Sequence, residues 1–79
     1  MILRRVVFHI LQNEEGIWDV IRDGAGEPAS SHHDRQDAVN AGKLLARDQK
    51  AKLVIHDEQG SIVKECTYGY KCWKCTASD

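Results

Sequence analysis

Three cysteines and two histidines hold most of the chemistry this chain can offer. Cys72-Trp73-Lys74-Cys75 is a C-x-x-C, a spacing at which two thiolates hold one side of a tetrahedral zinc ion. Cys66 is a third donor, so Cys66, Cys72 and Cys75 form the candidate metal set, with zinc as the only cofactor considered. A structural site needs a fourth ligand, and the C-terminal segment supplies none. His56 is the tempting one. Near a hairpin turn, however, it stands on the order of 16 Å from Cys66 along the strands, and His9 stays open as an alternative. A redox role suits the motif less, because no helix follows Cys72 to lower its pKa. The plain alternative is a flexible tail whose thiols do nothing in a reducing cell.

Strand alternation groups His9 with Val7 and Leu11, and His56 with Val54. Two neutral imidazoles on one face could bind a metal or relay protons. The plain alternative is that each ends a strand and bonds to backbone or water. No carboxylate or nucleophile pairs clearly with either, so no catalytic residue is assigned and the chain is read as non-enzymatic. His32 and His33 lie beside a helix start and are expected in solvent. Gly24 and Gly26 lack the following Gly, Lys or helix start of a phosphate-cradling loop.

The elements that must position these residues follow from periodicity and turn chemistry. Arg4 to Gln12 is rich in β-branched and apolar residues and reads as a strand. Asn13-Glu14-Glu15-Gly16 is a turn, and Ile17 to Arg22 a second strand. Asp23 to Pro28 breaks structure, and Ala29 to His33 is extended or a short strand. Asp34 is a good N-cap for a helix running to about Lys50, with Asp37 in its first turn. Ala38, Ala41, Gly42, Leu45, Ala46 and Gln49 make a stripe of mostly small residues, suited to close packing on a sheet. Lys52 to Asp57 and Ser61 to Tyr68 are strands joined through Asp57-Glu58-Gln59-Gly60. If those four residues are the whole turn, Ile55 opposes Ile62 and Val54 opposes Val63. The result is an α+β, two-layer ββαββ domain over residues 1–69, mainly antiparallel, with one helix on one face. Residues 70–79 are expected as a flexible, cysteine-containing tail.

Composition narrows the partners. The chain has 79 residues, enough for one small domain, with 42% hydrophobic and 29% charged residues. Eleven basic residues against twelve acidic ones, interspersed, give no electrostatic reason to seek nucleic acid or an anionic membrane. No apolar run approaches the roughly 20 residues that cross a bilayer, and Arg4 and Arg5 interrupt any leader. An odd number of cysteines near one end argues against a secreted disulfide scaffold, so the expected compartment is the cytoplasm.

His9-Ile10-Leu11-Gln12 followed by Gly16-Ile17-Trp18-Asp19-Val20 resembles the opening hairpin of the small bacterial family called domain of unknown function 2188. The helix with Ala38, Ala41 and Ala46, the stretch Leu53 to Ile62 and the closing Tyr68-Gly69 are similar to that family too. The resemblance covers roughly residues 6–69. Gln12 departs from it, standing where the family often has proline, and residues 70–79 lie outside its core. It implies an architecture and carries no activity.

One helix covers one side of a sheet. With Phe8, Ile10, Trp18, Val20, Leu53, Ile55 and Ile62 beneath it, alternation leaves Val7, Leu11, Ile17, Ile21, Val54 and Val63 on the other side. His9, Asp19, His56, Glu65 and Thr67 lie among them. A patch of this kind usually marks an interaction site. The functional expectation is a protein-interaction module whose binding face comprises Val7, His9, Leu11, Ile17, Ile21, Val54, His56 and Val63, as a homodimer or against another protein. The alternatives are a zinc protein using the cysteines, or a weak nucleic-acid binder stacking a base on an exposed Trp18.

Overall fold

Short β-branched runs separated by glycine-bearing turns form hairpins here, and the alanine-rich segment between them forms the helix. A computed structural model describes residues 6–68 and the backbone of 73–77. The elements are β1 (Val7–Gln12), β2 (Trp18–Arg22), β3 (Ser30–His32), α1 (Arg35–Gln49), β4 (Lys52–His56), β5 (Ile62–Tyr68) and β6 (Trp73–Ala77). They make one sheet in the order β3-β2-β1-β4-β5-β6. β1 and β4 are parallel neighbours at its centre, and every other pairing is antiparallel. The fold is α+β with one helix on one face, as expected. The element order is βββαβββ rather than ββαββ, because Ser30–His32 pairs with β2 and Trp73–Ala77 with β5.

The segment expected as a flexible tail thus supplies the backbone of a strand over 73–77, lying along an edge of β5 that would otherwise lack a partner. Residues 69–72 and 78–79 lie outside the described residues. Cys75 is the register partner of Cys66. Cys66 is fully buried and disulfide-bonded, so it is not the free third donor expected of the candidate zinc set.

The core lies between α1 and the sheet. Phe8, Ile10, Val20, Leu53 and Cys66 are its largest fully buried side chains, with Trp18, Ile55 and Tyr68 beside them. From the helix come Ala38, Val39, Gly42 and Ala46. Val39 joins the expected stripe, and Gln49 leaves it for solvent. The stripe is small because the approach is close. A Cβ on Gly42 would stand 3.0 Å from Ile10 Cδ1 and 3.1 Å from Leu53 Cδ1. Asp34 occupies the N-cap with extended backbone but makes no side-chain cap hydrogen bond. At the other end Lys50 adopts the left-handed conformation, φ 53°, and its N–H returns to the carbonyls of Ala46 and Arg47.

The register of the β4–β5 hairpin differs from the simple turn. Ile55 pairs with Lys64 and Val54 with Glu65, but His56 pairs with Ile62. Val63 is therefore an extra residue, a β-bulge. The slip reverses two assignments. Ile62, expected under the helix, is register partner to His56 and 45% exposed. Val63, expected on the open face, lines a shallow cleft of about 340 Å³ with Trp18 and Arg35. Cys66 and Tyr68 fill the core in place of Ile62.

Candidate functional site

The face away from α1 is built on the two central strands. His9 on β1 is the register partner of Val54 on β4 and of Ile21 on β2. Val7, Leu11, Ile21 and Ile17 are half-buried, Ile17 at the mouth of the β1–β2 turn rather than within a strand; Val54 is buried. Strand register brings Val7, His9, Leu11, Ile21, Val54 and His56 to this side; Val63 is not among them.

The two histidines meet. His9 Nδ1 lies 3.2 Å from His56 Nε2. The ring centroids are 5.4 Å apart, close to the sum of that contact and the two ring radii. The nitrogens therefore face each other along a line, as in an N–H···N hydrogen bond, rather than converging on a third point. His56 Nδ1 is 2.9 Å from the carbonyl oxygen of Gly60. A carbonyl can only accept, so the proton of neutral His56 sits on Nδ1 and its Nε2 is a lone pair. His9 must then donate through Nδ1, leaving the lone pair of neutral His9 on Nε2. That nitrogen lies 3.7 Å from Asp23 Oδ1, with the two side chains 28% and 72% exposed. The chain of donors runs from His9 through His56 to Gly60 and leaves one basic nitrogen beside a carboxylate.

Local sequence fixes this arrangement. Asp57 Oδ1 accepts from Gln59 N at 2.8 Å and Ser61 N at 3.0 Å, while Gly60 N donates to the Asp57 carbonyl at 3.1 Å. Gly60 takes φ +89°, a conformation glycine adopts without strain. The turn so formed places the Gly60 carbonyl on His56. Asp23 follows β2, and its N–H donates to the Val7 carbonyl at 2.7 Å. Burial is the main cause that pulls the His9 pKa below its ordinary 6.5. Repulsion from His56 and, more weakly, Lys52 adds to it, and Asp23 opposes it both as a charge and as a hydrogen-bond partner.

Two further polar groups on this face were not singled out as sites from sequence. Asp19, buried at 8% exposure, accepts from Ser31 Oγ at 2.6 Å and Asn13 Nδ2 at 3.3 Å. Lys52 Nζ meets Glu65 Oε1 at 2.6 Å, an ion pair across β4 and β5. Alternation placed Asp19 and Glu65 on this side; their partners depend on pairings that one strand's sequence does not reveal.

The cysteine set is divided. Cys66 is in the core, on the side of the sheet opposite the histidines, so faces as well as strand length part it from His56. Its sulfur is bonded in a disulfide and is not a thiolate. Cys72 lies outside the described residues, and Cys75 is placed here only by its backbone. Among the described residues no group of three His, Cys, Asp or Glu side chains is arranged to hold a metal ion. Trp18 is 5% exposed, with the Arg35 guanidinium 5.7 Å from its ring centroid, so its faces are not open to a nucleobase. No helix among the described residues is long and apolar enough to cross a membrane.

A family model described as an uncharacterized protein conserved in bacteria (DUF2188) matches residues 8–68. The chain belongs to that family. No curated protein and no solved structure matches it.

Proposed function

We propose that this protein is a non-enzymatic interaction module whose uncovered sheet face packs against the same face of a second copy. One observation carries the reading. Val7, Leu11, Ile21, Val54 and Ile62 surround a polar centre on the side away from α1, and no element among the described residues lies over them. Full burial of an exposed aliphatic side chain is worth roughly 1.5–3 kcal/mol; the half-buried Val7, Leu11 and Ile21 and the 45% exposed Ile62 each gain part of that on pairing, while Val54 is already buried.

Size and charge favour a second copy over a foreign partner. Six strands spaced about 4.8 Å apart give a face of roughly 500 Å². Two such faces meet the ~1,000 Å² floor of a specific interface. The face carries both signs, the Lys52 ammonium and the carboxylates of Glu65 and Asp23, so a two-fold axis can set opposite charges against each other. Its polar groups are largely engaged with one another, which suits a packed interface better than a reacting centre. Amide chemical shifts recorded at increasing concentration test this. Shifts should move together at Val7, Leu11, Ile21 and Val54 while helix residues such as Lys43 and Arg47 stay still. Movement confined to α1 would place the contact elsewhere and defeat the reading.

A further inference from the structure

We propose that His9 Nε2 and Asp23 Oδ1 form half of a divalent transition-metal site, which the same two residues of a second copy complete. The inference rests on the face-to-face pairing proposed above. Its own basis is the direction of the hydrogen-bond chain. His56, fixed by the Gly60 carbonyl, holds the His9 proton on Nδ1 and leaves a lone pair on Nε2, 3.7 Å from Asp23 Oδ1. A metal-binding histidine is almost always backed in this way, its second nitrogen donating to an acceptor that orients the ring and raises its basicity. Here the backing is two groups deep, on a residue that otherwise ends beside an exposed carboxylate.

The spacing fits. Two donor atoms each about 2.0–2.2 Å from a tetrahedral ion stand roughly 3.3–3.5 Å apart. His9 Nε2 and Asp23 Oδ1 are 3.7 Å apart, and Asp23 is 72% exposed and able to close the difference. One chain supplies two donors, and a closed tetrahedral site needs four. His9 lies on β1, one of the two central strands, so a two-fold axis near the middle of the face can bring two His9 rings together. Two imidazoles and two carboxylates suit zinc, cobalt(II) or nickel(II).

Cobalt(II) chloride added to the full chain tests the site, with absorption and sedimentation velocity read in parallel against a sample in EDTA. The expected result is one cobalt per two chains, ligand-field bands without sulfur-to-cobalt charge transfer, and dimerisation at least tenfold tighter. His9→Gln and Asp23→Asn should each abolish this response while retaining the helical circular dichroism. His56→Gln should weaken it about 10- to 100-fold. Asp23 is exposed, so Asp23→Asn remains informative if His9→Gln fails to fold. Dimerisation that appears only with cobalt also supports the site. A dimer in EDTA that ignores cobalt overturns the site and leaves the face pairing standing. A monomer under both conditions overturns both. Cobalt bound one per monomer, or with thiolate absorption, overturns the site.

Discussion

His9 shows how a single side chain joins fold and function. Its pKa is depressed in the folded state, chiefly by burial and then by His56, so the unfolded chain binds a proton more readily. The sign follows from linkage: His9's contribution to stability is complete above about pH 6.5 and is lost as pH falls through the lower folded value. Urea midpoints measured from pH 7.5 down to pH 5 should therefore fall, and in His9→Gln the fall should be shallower. A midpoint independent of pH in the parent protein would contradict the half-buried, neutral imidazole. Strand alternation made it legible that His9 and His56 share a face. That they touch was not legible, because it requires β1 and β4 to be parallel neighbours, a pairing set by the crossover through α1. Asp23 was passed over as a turn residue. Its role depends on the β1–β2 register, in which the turn begins beside Val7.

At the scale of elements, two places couple sequence to the site. Gly42 sits where α1 crosses Ile10 and Leu53, both with no exposed surface and no room to retreat. Gly42→Ala gains about 1 kcal/mol of helix propensity but overpacks the core at a cost of roughly 1–3 kcal/mol. The net should be a loss of about 1 kcal/mol, read as a lower thermal midpoint; a stabilised variant would show the approach to be looser than described. The β4–β5 turn is the second place. Asp57→Ala removes the acceptor for Gln59 N and Ser61 N, and should cost about 1 kcal/mol. It should also release the Gly60 carbonyl from His56, so that nitrogen-15 shifts of His56 report mixed tautomers instead of one. The helix, the hairpins and most of the facing residues were legible from period and turn chemistry. The bulge at Val63 was not, since an extra residue leaves the alternation on either side of it unchanged and reveals itself only through the partner strand. For the same reason Ile62 and Val63 exchanged faces. β6 was hidden because a five-residue strand beside a C-x-x-C offers a competing metal reading and no hairpin signature of its own.

For the whole molecule, a layer of helix on one side and an uncovered, half-buried sheet on the other is an asymmetric object only 18 Å thick. The two sides have different work. The helix side holds the core and the disulfide-bonded Cys66. The open side groups aliphatic side chains around an imidazole pair. Pairing of open sides would turn two thin layers into a four-layer particle with both sheets inside, packed about 10 Å apart. Substitutions at the most exposed positions should then act on assembly and not on folding. Ile62→Lys, at a residue 45% exposed, is expected to weaken association at least tenfold while changing the unfolding midpoint of the monomer little. Sedimentation equilibrium of the parent chain in EDTA, from micromolar to millimolar concentration, tests this most directly. The pairing predicts a reversible monomer–dimer isotherm that Ile62→Lys shifts toward monomer; a strict monomer over the whole range, with no binding of a hydrophobic dye, would contradict it.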